Sequence, residues 1–234
     1  MRSRTPLALG ACAIALGGCA SAWRLEPATG PRPDLPSRPG PCRVIAAISL
    51  DMSGRTLPAV AYVSMTGAGN LRAHLDTESG LTILDLEIRD GVPIVHRQSA
   101  LAGLPGLTDT LATDLRRALG DHGVYAVAMD AGAGFATVTE GPRGLTRPWA
   151  AWRLPDASWV ALDPAPAAGD DVACAVTLLD AARVPVATVE YGAPGTANFP
   201  WTIRLRDLGD GHVVRFDVGE VLPGPGTAGG DEAP

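Results

Sequence analysis

Four cysteines, four histidines and a few loop aspartates are the residues whose types could do chemistry in this chain. A thiolate can act as a nucleophile or bind a metal, but no Cys-x-x-Cys occurs, so the cysteines carry no dithiol redox pair. His74, His96, His122 and His212 are far apart, lie in or beside strand-like segments, and never fall in a metal spacing such as His-x-x-x-His. His74 shares the polar face of its segment with Arg72 and reads as solvated. There is no Gly-x-Ser-x-Gly elbow, and Gly67-Ala-Gly69 before Asn70 reads as a hairpin turn because no helix follows it. Asp163, Asp170 and Asp171 stand in a Pro/Ala/Gly-rich stretch without the alternating ligands and fixed glycine of a calcium loop, and read as solvated charges. The expectation is a chain that is not an enzyme, with no catalytic residue, metal or cofactor.

Cys19 is different because of what precedes it. Arg2 and Arg4 lead into an apolar run from Pro6 to Leu16, too short to span a bilayer and of the length of a secretory signal. That run ends in Leu16-Gly17-Gly18-Cys19, which resembles the lipobox of bacterial lipoproteins: an aliphatic residue, two small ones, then the cysteine that receives a diacylglycerol. An ordinary signal peptide cleaved at Ala20 or Ala22 is the alternative. The resemblance implies lipidation of Cys19, a membrane partner reached through that lipid, and, because Ala20 is not aspartate, delivery to the periplasmic face of the outer membrane in a two-membrane cell.

An exported chain meets an oxidising compartment. With Cys12 in the signal and Cys19 lipidated, Cys42 and Cys174 remain, either as a disulfide or as two buried thiols. A bridge would close a loop of roughly 130 residues and stabilise the fold by about 4 to 5 kcal/mol in the chain-entropy model. Net charge is −6 and lysine is absent, which argues against nucleic acid, whose phosphates call for a basic face.

The elements that must position these residues are mostly strands. Residues 1–18 read as the signal and 19–41 as a lipidated, proline-rich tether that could reach on the order of 60 Å if extended. Residues 42–221 read as one domain and 222–234 as a disordered tail. Arg43 to Leu50 and Leu57 to Met65 flank Ser53-Gly54 as a hairpin, and Leu71 to Leu75 alternates. Leu84, Leu86 and Ile88 share one face against Asp85 and Glu87, and Asp90-Gly91 turns the chain into Val92 to His96. Trp201, Ile203 and Leu205 oppose Thr202, Arg204 and Arg206. After the Asp210-Gly211 turn, Val214, Phe216 and Val218 continue the apolar face. Short strands are also expected near Val124 to Met129, Phe135 to Thr139 and Trp159 to Leu162. Leu107, Leu111, Leu115 and Leu119 instead recur every four residues, an amphipathic helix with Thr108 as N-cap, Asp109 and the Arg116-Arg117 pair suiting its dipole, and Gly120 as its stop. Trp149, Trp152 and Trp159 cluster in an irregular stretch, where they either pack a core or rim a cavity or partner surface.

This order, on a lipidated anchor, resembles the LolA/LolB-like outer-membrane lipoprotein family. The stretches that carry the resemblance are Leu71-Arg-Ala-His-Leu75 with Leu81 to Ile88, the helix of Thr108 to Leu119, Val186-Ala-Thr-Val-Glu-Tyr191 and Phe199-Pro-Trp-Thr-Ile-Arg-Leu-Arg-Asp207. The resemblance implies a mainly β fold, a strongly curved antiparallel sheet forming an open half-barrel covered by one or a few α-helices. It also implies an apolar cavity that takes acyl chains. On this reading Leu84, Leu86, Ile88, Leu111, Leu115, Trp201, Ile203, Leu205 and Phe216 line the cavity, and the partners are an acyl chain or lipid and a periplasmic carrier or envelope protein. The loop Asp76-Thr77-Glu78-Ser79-Gly80 departs from the LolB pattern, being polar where that receptor has an apolar tip. The expected role is assisting lipoprotein or lipid localisation. The alternative is a lipid-anchored envelope scaffold with no ligand cavity.

Overall fold

A computed structural model describes residues 22–28, 40–52, 54–66, 70–99, 106–120, 135–141, 149–163, 172–195 and 199–224. Cys19, the signal, His122, Asp170, Asp171 and the expected strand at Val124 to Met129 lie outside these residues.

The alternating segments form a mainly β structure. In chain order the strands are β1 (Arg24–Pro27), β2 (Cys42–Met52), β3 (Arg55–Met65), β4 (Leu71–Asp76), β5 (Thr82–Arg89) and β6 (Val92–Gln98). After helix α1 (Leu107–Ala118) come β7 (Phe135–Glu140), β8 (Trp149–Arg153), β9 (Trp159–Asp163), β10 (Val172–Leu179), β11 (Pro185–Gly192), β12 (Thr202–Asp207) and β13 (Val213–Pro223). All belong to one antiparallel sheet in the order β1-β7-β8-β9-β10-β11-β12-β13-β2-β3-β4-β5-β6. Among the described residues β1 and β6 remain edges, so the sheet is not closed. The hairpins turn where the sequence places them, with Gly54, Gly91 and Gly211 at positive φ.

Curvature follows from where α1 sits. The helix packs against both β5 and β12, which are five strand steps apart in the sheet. Laid flat, those steps would span roughly 24 Å, well over the width of a helix, so the sheet must curl around α1. Its inner face and the leucine stripe of α1 share one apolar cluster drawn from β2–β5 and β8–β13.

Four expectations need correction. The stretch read wholly as a tether contributes β1, which pairs with β7, and Trp23 before it is buried. The helix cap lies two residues earlier than expected: Gly106, in the left-handed conformation, is the N-cap, and the Thr108 hydroxyl lies buried within the first turn. β13 continues through Pro223 rather than ending at 221, and the Gly224 N–H donates to the Pro41 carbonyl. Finally, no disulfide joins Cys42 and Cys174, although both are buried. Cys42 begins β2 and Cys174 lies in β10, separated in the sheet by β11, β12 and β13. Burial, with Asp163 nearby, pushes the Cys174 thiol up to about 12, so it stays protonated and inert.

Candidate functional site

The interior under α1 is built by two periodicities meeting. Ile203 and Leu205 on β12, Val214 and Phe216 on β13 and Leu84, Leu86 and Ile88 on β5 point inward by the period of two. Leu107, Leu111 and Leu115 point down from α1 by the period of four. Eight of the nine residues expected to line a cavity are fully buried in this one cluster: Leu84, Leu86, Ile88, Leu111, Leu115, Ile203, Leu205 and Phe216. Trp201 is the exception. It precedes β12 in a bend, is 43% exposed, and lays its ring where a Cβ on Gly195 would stand. The alternation that governs Ile203 and Leu205 fails one step earlier, in the bend that precedes β12.

The three clustered tryptophans divide between the two faces of the sheet. Trp152 is fully buried in the inner cluster, its ring 5.9 Å from that of Phe135. Its indole N–H meets no hydrogen-bond acceptor among the described residues. Trp149 and Trp159 lie on the outer face, half-buried beside a second cluster of Trp23, Val138, Ala151, Ala161 and Leu179.

One side of α1 is polar. Asp114 is 1% exposed and His212 6%, and His212 Nε2 lies 2.7 Å from Asp114 Oδ2 while Nδ1 lies 2.5 Å from Asp210 Oδ1. Arg117 Nη1 donates to Asp207 Oδ2 at 2.7 Å, and the Tyr191 hydroxyl donates to the Ala118 carbonyl at 3.0 Å, satisfying one of the open acceptors at the helix end. These bonds tie α1 to β11, β12 and the turn before β13. A cleft of about 240 Å³ opens beside them, lined by Asp109, Thr110, Thr113, Asp207 and Asp210 among others.

Burial disfavours the charged ring of His212. The Asp114 carboxylate and the hydrogen bonds to Asp114 and Asp210 outweigh it, and the pKa is raised above the usual histidine value. Burial raises Asp114 as well, against the opposing pull of His212 and Arg117. Both directions express one fact: each ring nitrogen faces a carboxylate oxygen, so the group is stable only with a proton shared between them. For Asp207, burial is outweighed by Arg117 and by the backbone N–H groups of Gly209 and Asp210, and its pKa is lowered. Asp210 is lowered by the His212 backbone N–H and then by the His212 ring.

This constellation is suited to holding the helix. A general base needs a free ring nitrogen beside a nucleophile, whereas both nitrogens of His212 are committed to carboxylates. Asp207, Asp210 and His212 come close enough for a cation. Their donor atoms are instead engaged by Arg117, by the ring and by turn N–H groups, and a guanidinium at 2.7 Å opposes a second positive charge. Sequence reasoning missed the cluster, reading the histidines as dispersed. The available signal was Asp114 itself, which falls seven residues after Leu107 and three after Leu111 and so shares their buried face. His74 and His96 do stand on exposed strand faces, 2.9 Å from Asp76 and Glu87 respectively.

No protein-family model and no curated protein matches the sequence. Solved structures with a similar fold include a protein described as an outer membrane lipoprotein-sorting domain from Vibrio parahaemolyticus, with TM-score 0.46 and 10% identity over 82% of this chain and 88% of that one. Another is a LolA superfamily protein from Nitrosomonas europaea, at TM-score 0.45 and 11% identity, covering 79% of this chain and 86% of that one. A DUF1329 family protein from Desulfovibrio piger aligns at TM-score 0.42 and 8% identity over 80% and 87%.

Proposed function

We propose that the protein is a non-enzymatic, lipid-anchored envelope protein that takes an acyl chain between α1 and the inner face of its open sheet, assisting lipoprotein or lipid localisation at the outer membrane. Cys19 carries the anchor, and Leu84, Leu86, Ile88, Leu111, Leu115, Ile203, Leu205 and Phe216 meet the chain once α1 lifts. The observation that carries this reading is the Trp152 indole N–H, a donor inside an otherwise apolar cluster with no acceptor among the described residues. An unsatisfied buried donor costs about 1 to 3 kcal/mol. The ester or acid carbonyl at the head of an acyl chain would satisfy it once α1 lifts.

The test is purification from cell envelopes, lipid extraction and mass spectrometry, together with titration of a fluorescent fatty acid. Acyl species should be recovered, and Trp152→Phe should keep the fold while weakening the fatty acid by roughly tenfold, the worth of one buried hydrogen bond. A protein that yields no lipid and takes up none contradicts the proposal.

One observation favours a scaffold instead. Edge strand β6 is exposed along most of its length, with Val92 58% and Val95 44% exposed, and Pro93 within it. An added strand from an envelope partner would find hydrogen-bonding groups there. Recovery of a stoichiometric protein partner with no lipid would support that reading.

A further inference from the structure

We infer that the outer face of the sheet around β7–β9, with Trp149 and Trp159, rests on the bilayer surface, and that the domain is not held away from it on a long tether. The inference rests on the proposed lipidation of Cys19. Trp23 marks where the chain first joins the fold. Its N–H donates to the Arg183 carbonyl at 2.9 Å, its ring meets that of Trp149 edge-on at 5.5 Å, and it is buried against Val138 and close to Gly141. The following residues pair in β1 with β7, from Arg24 opposite Glu140 to Pro27 opposite Ala136. Only residues 20 to 22 separate Cys19 from Trp23. Four Cα steps reach at most about 14 Å, less than half the thickness of a bilayer. A diacylglyceryl on Cys19 therefore places the membrane beside Trp23, whatever path those residues take. The proline-rich residues 29–39 come after β1 and connect it to β2, so they cannot lengthen the leash.

The surface nearest that anchor has the composition of a membrane interface. Trp149 and Trp159 are half-buried and Leu25 is partly exposed, all packed on the outer cluster. Indole rings, with an apolar body and one N–H, prefer the headgroup level of a bilayer. Arg183 stands 6.0 Å over the Trp159 ring, and Arg153 is exposed at the end of β8 on the face of Trp149 and Ala151. Long arginine stems of this kind reach up to phosphates from an apolar patch. Arg24 is matched by Glu26 at 3.4 Å and Glu140 at 3.9 Å, so local charge is mixed. The rings, more than net attraction to anionic lipid, make the contact. This explains why a sheet end needs an apolar cluster on its outer face, where strands with one wet side would carry only polar groups.

The test uses the full chain with its native lipid, in vesicles of phosphatidylethanolamine and phosphatidylglycerol carrying dibrominated chains, in a Trp201→Phe background that removes the other exposed indole. Tryptophan emission should fall by up to about half, the share of Trp149 and Trp159 among the four remaining indoles, on brominated relative to plain vesicles. Trp149→Phe with Trp159→Phe should remove most of that difference. Varying the phosphatidylglycerol fraction should change it little. In case the double variant misfolds, an environment-sensitive fluorophore on Arg153→Cys provides a second reading and should shift to the blue on vesicles. A chain shown by mass to be diacylated and vesicle-bound, yet unquenched and unshifted, overturns this inference and leaves the anchor reading standing. A chain that carries no lipid and does not float with vesicles overturns the anchor reading, and this inference with it.

Discussion

Helix α1 is held differently on its two sides. Toward β11–β13 it is fastened by directional bonds: Asp114 to His212, Arg117 to Asp207, and Tyr191 to the Ala118 carbonyl. Toward β5, among the described residues, it shares an apolar cluster with Leu84, Leu86 and Ile88, and burial of that kind is non-directional. Hydrogen bonds fix one geometry and lose most of their worth within an ångström, while apolar contact can be exchanged for contact with another apolar body at little cost. On the proposed function, the polar side is the hinge, and the β5 side is where an acyl chain would replace protein.

The largest effects are expected at the hinge and on the apolar side. Asp114→Ala leaves His212 Nε2 buried without its carboxylate, with only Asp210 still on Nδ1, and should destabilise the protein by about 2 to 4 kcal/mol in denaturant unfolding. A loss under 1 kcal/mol would mean the pair does not fasten the helix. On the apolar side, Leu86→Ala should cost about 2 to 5 kcal/mol in the same assay if the seam is close-packed. Because Leu86 lies at the seam and meets the chain, the substitution should also alter fatty-acid uptake, and unchanged uptake would show that β5 is not the entry side. Arg117→Ala removes a partly exposed bond to Asp207 and should cost on the order of 1 kcal/mol.

The smallest effect is the response of the hinge to pH. His212 has a raised pKa, so its stabilising contribution is complete below the ordinary histidine value of about 6.5 and is lost as pH rises through the folded value. Asp207 and Asp210 have lowered pKa values, so theirs is present above about 3.9 and is lost as pH falls. Asp109, Asp114 and Arg117 of α1 complete the charges around the ring. Melting temperature should therefore decline from mildly acid to mildly alkaline conditions, and His212→Gln should flatten that decline. An unchanged slope in the variant would place the titrating group elsewhere.

Much of this architecture is legible in the chain. Leu84, Leu86 and Ile88, and Ile203 with Leu205, alternate cleanly because each strand has one covered face. The leucines of α1 recur at helical spacing, and all are buried as that spacing implies. β8 is not legible, because the outer face at that end is apolar too. Trp149 and Ala151 on one side and Ala150 and Trp152 on the other erase the alternation. β1 is hidden by its company of prolines. The hinge is hidden by distance, since Asp114 and His212 are brought together only by the curl of the sheet, and a lone aspartate on a leucine stripe reads as a helix surface charge. Trp201 shows the opposite failure, a correct parity extended one residue past the end of its strand.

The most direct test of the hinge and seam is a pair of distances followed while lipid is added. Spin labels on exposed positions of α1 and of β5 should move apart when a fatty acid binds, while labels on α1 and β12 keep their separation. Bound lipid with both distances unchanged, or with α1 leaving β12 and staying on β5, would contradict the account.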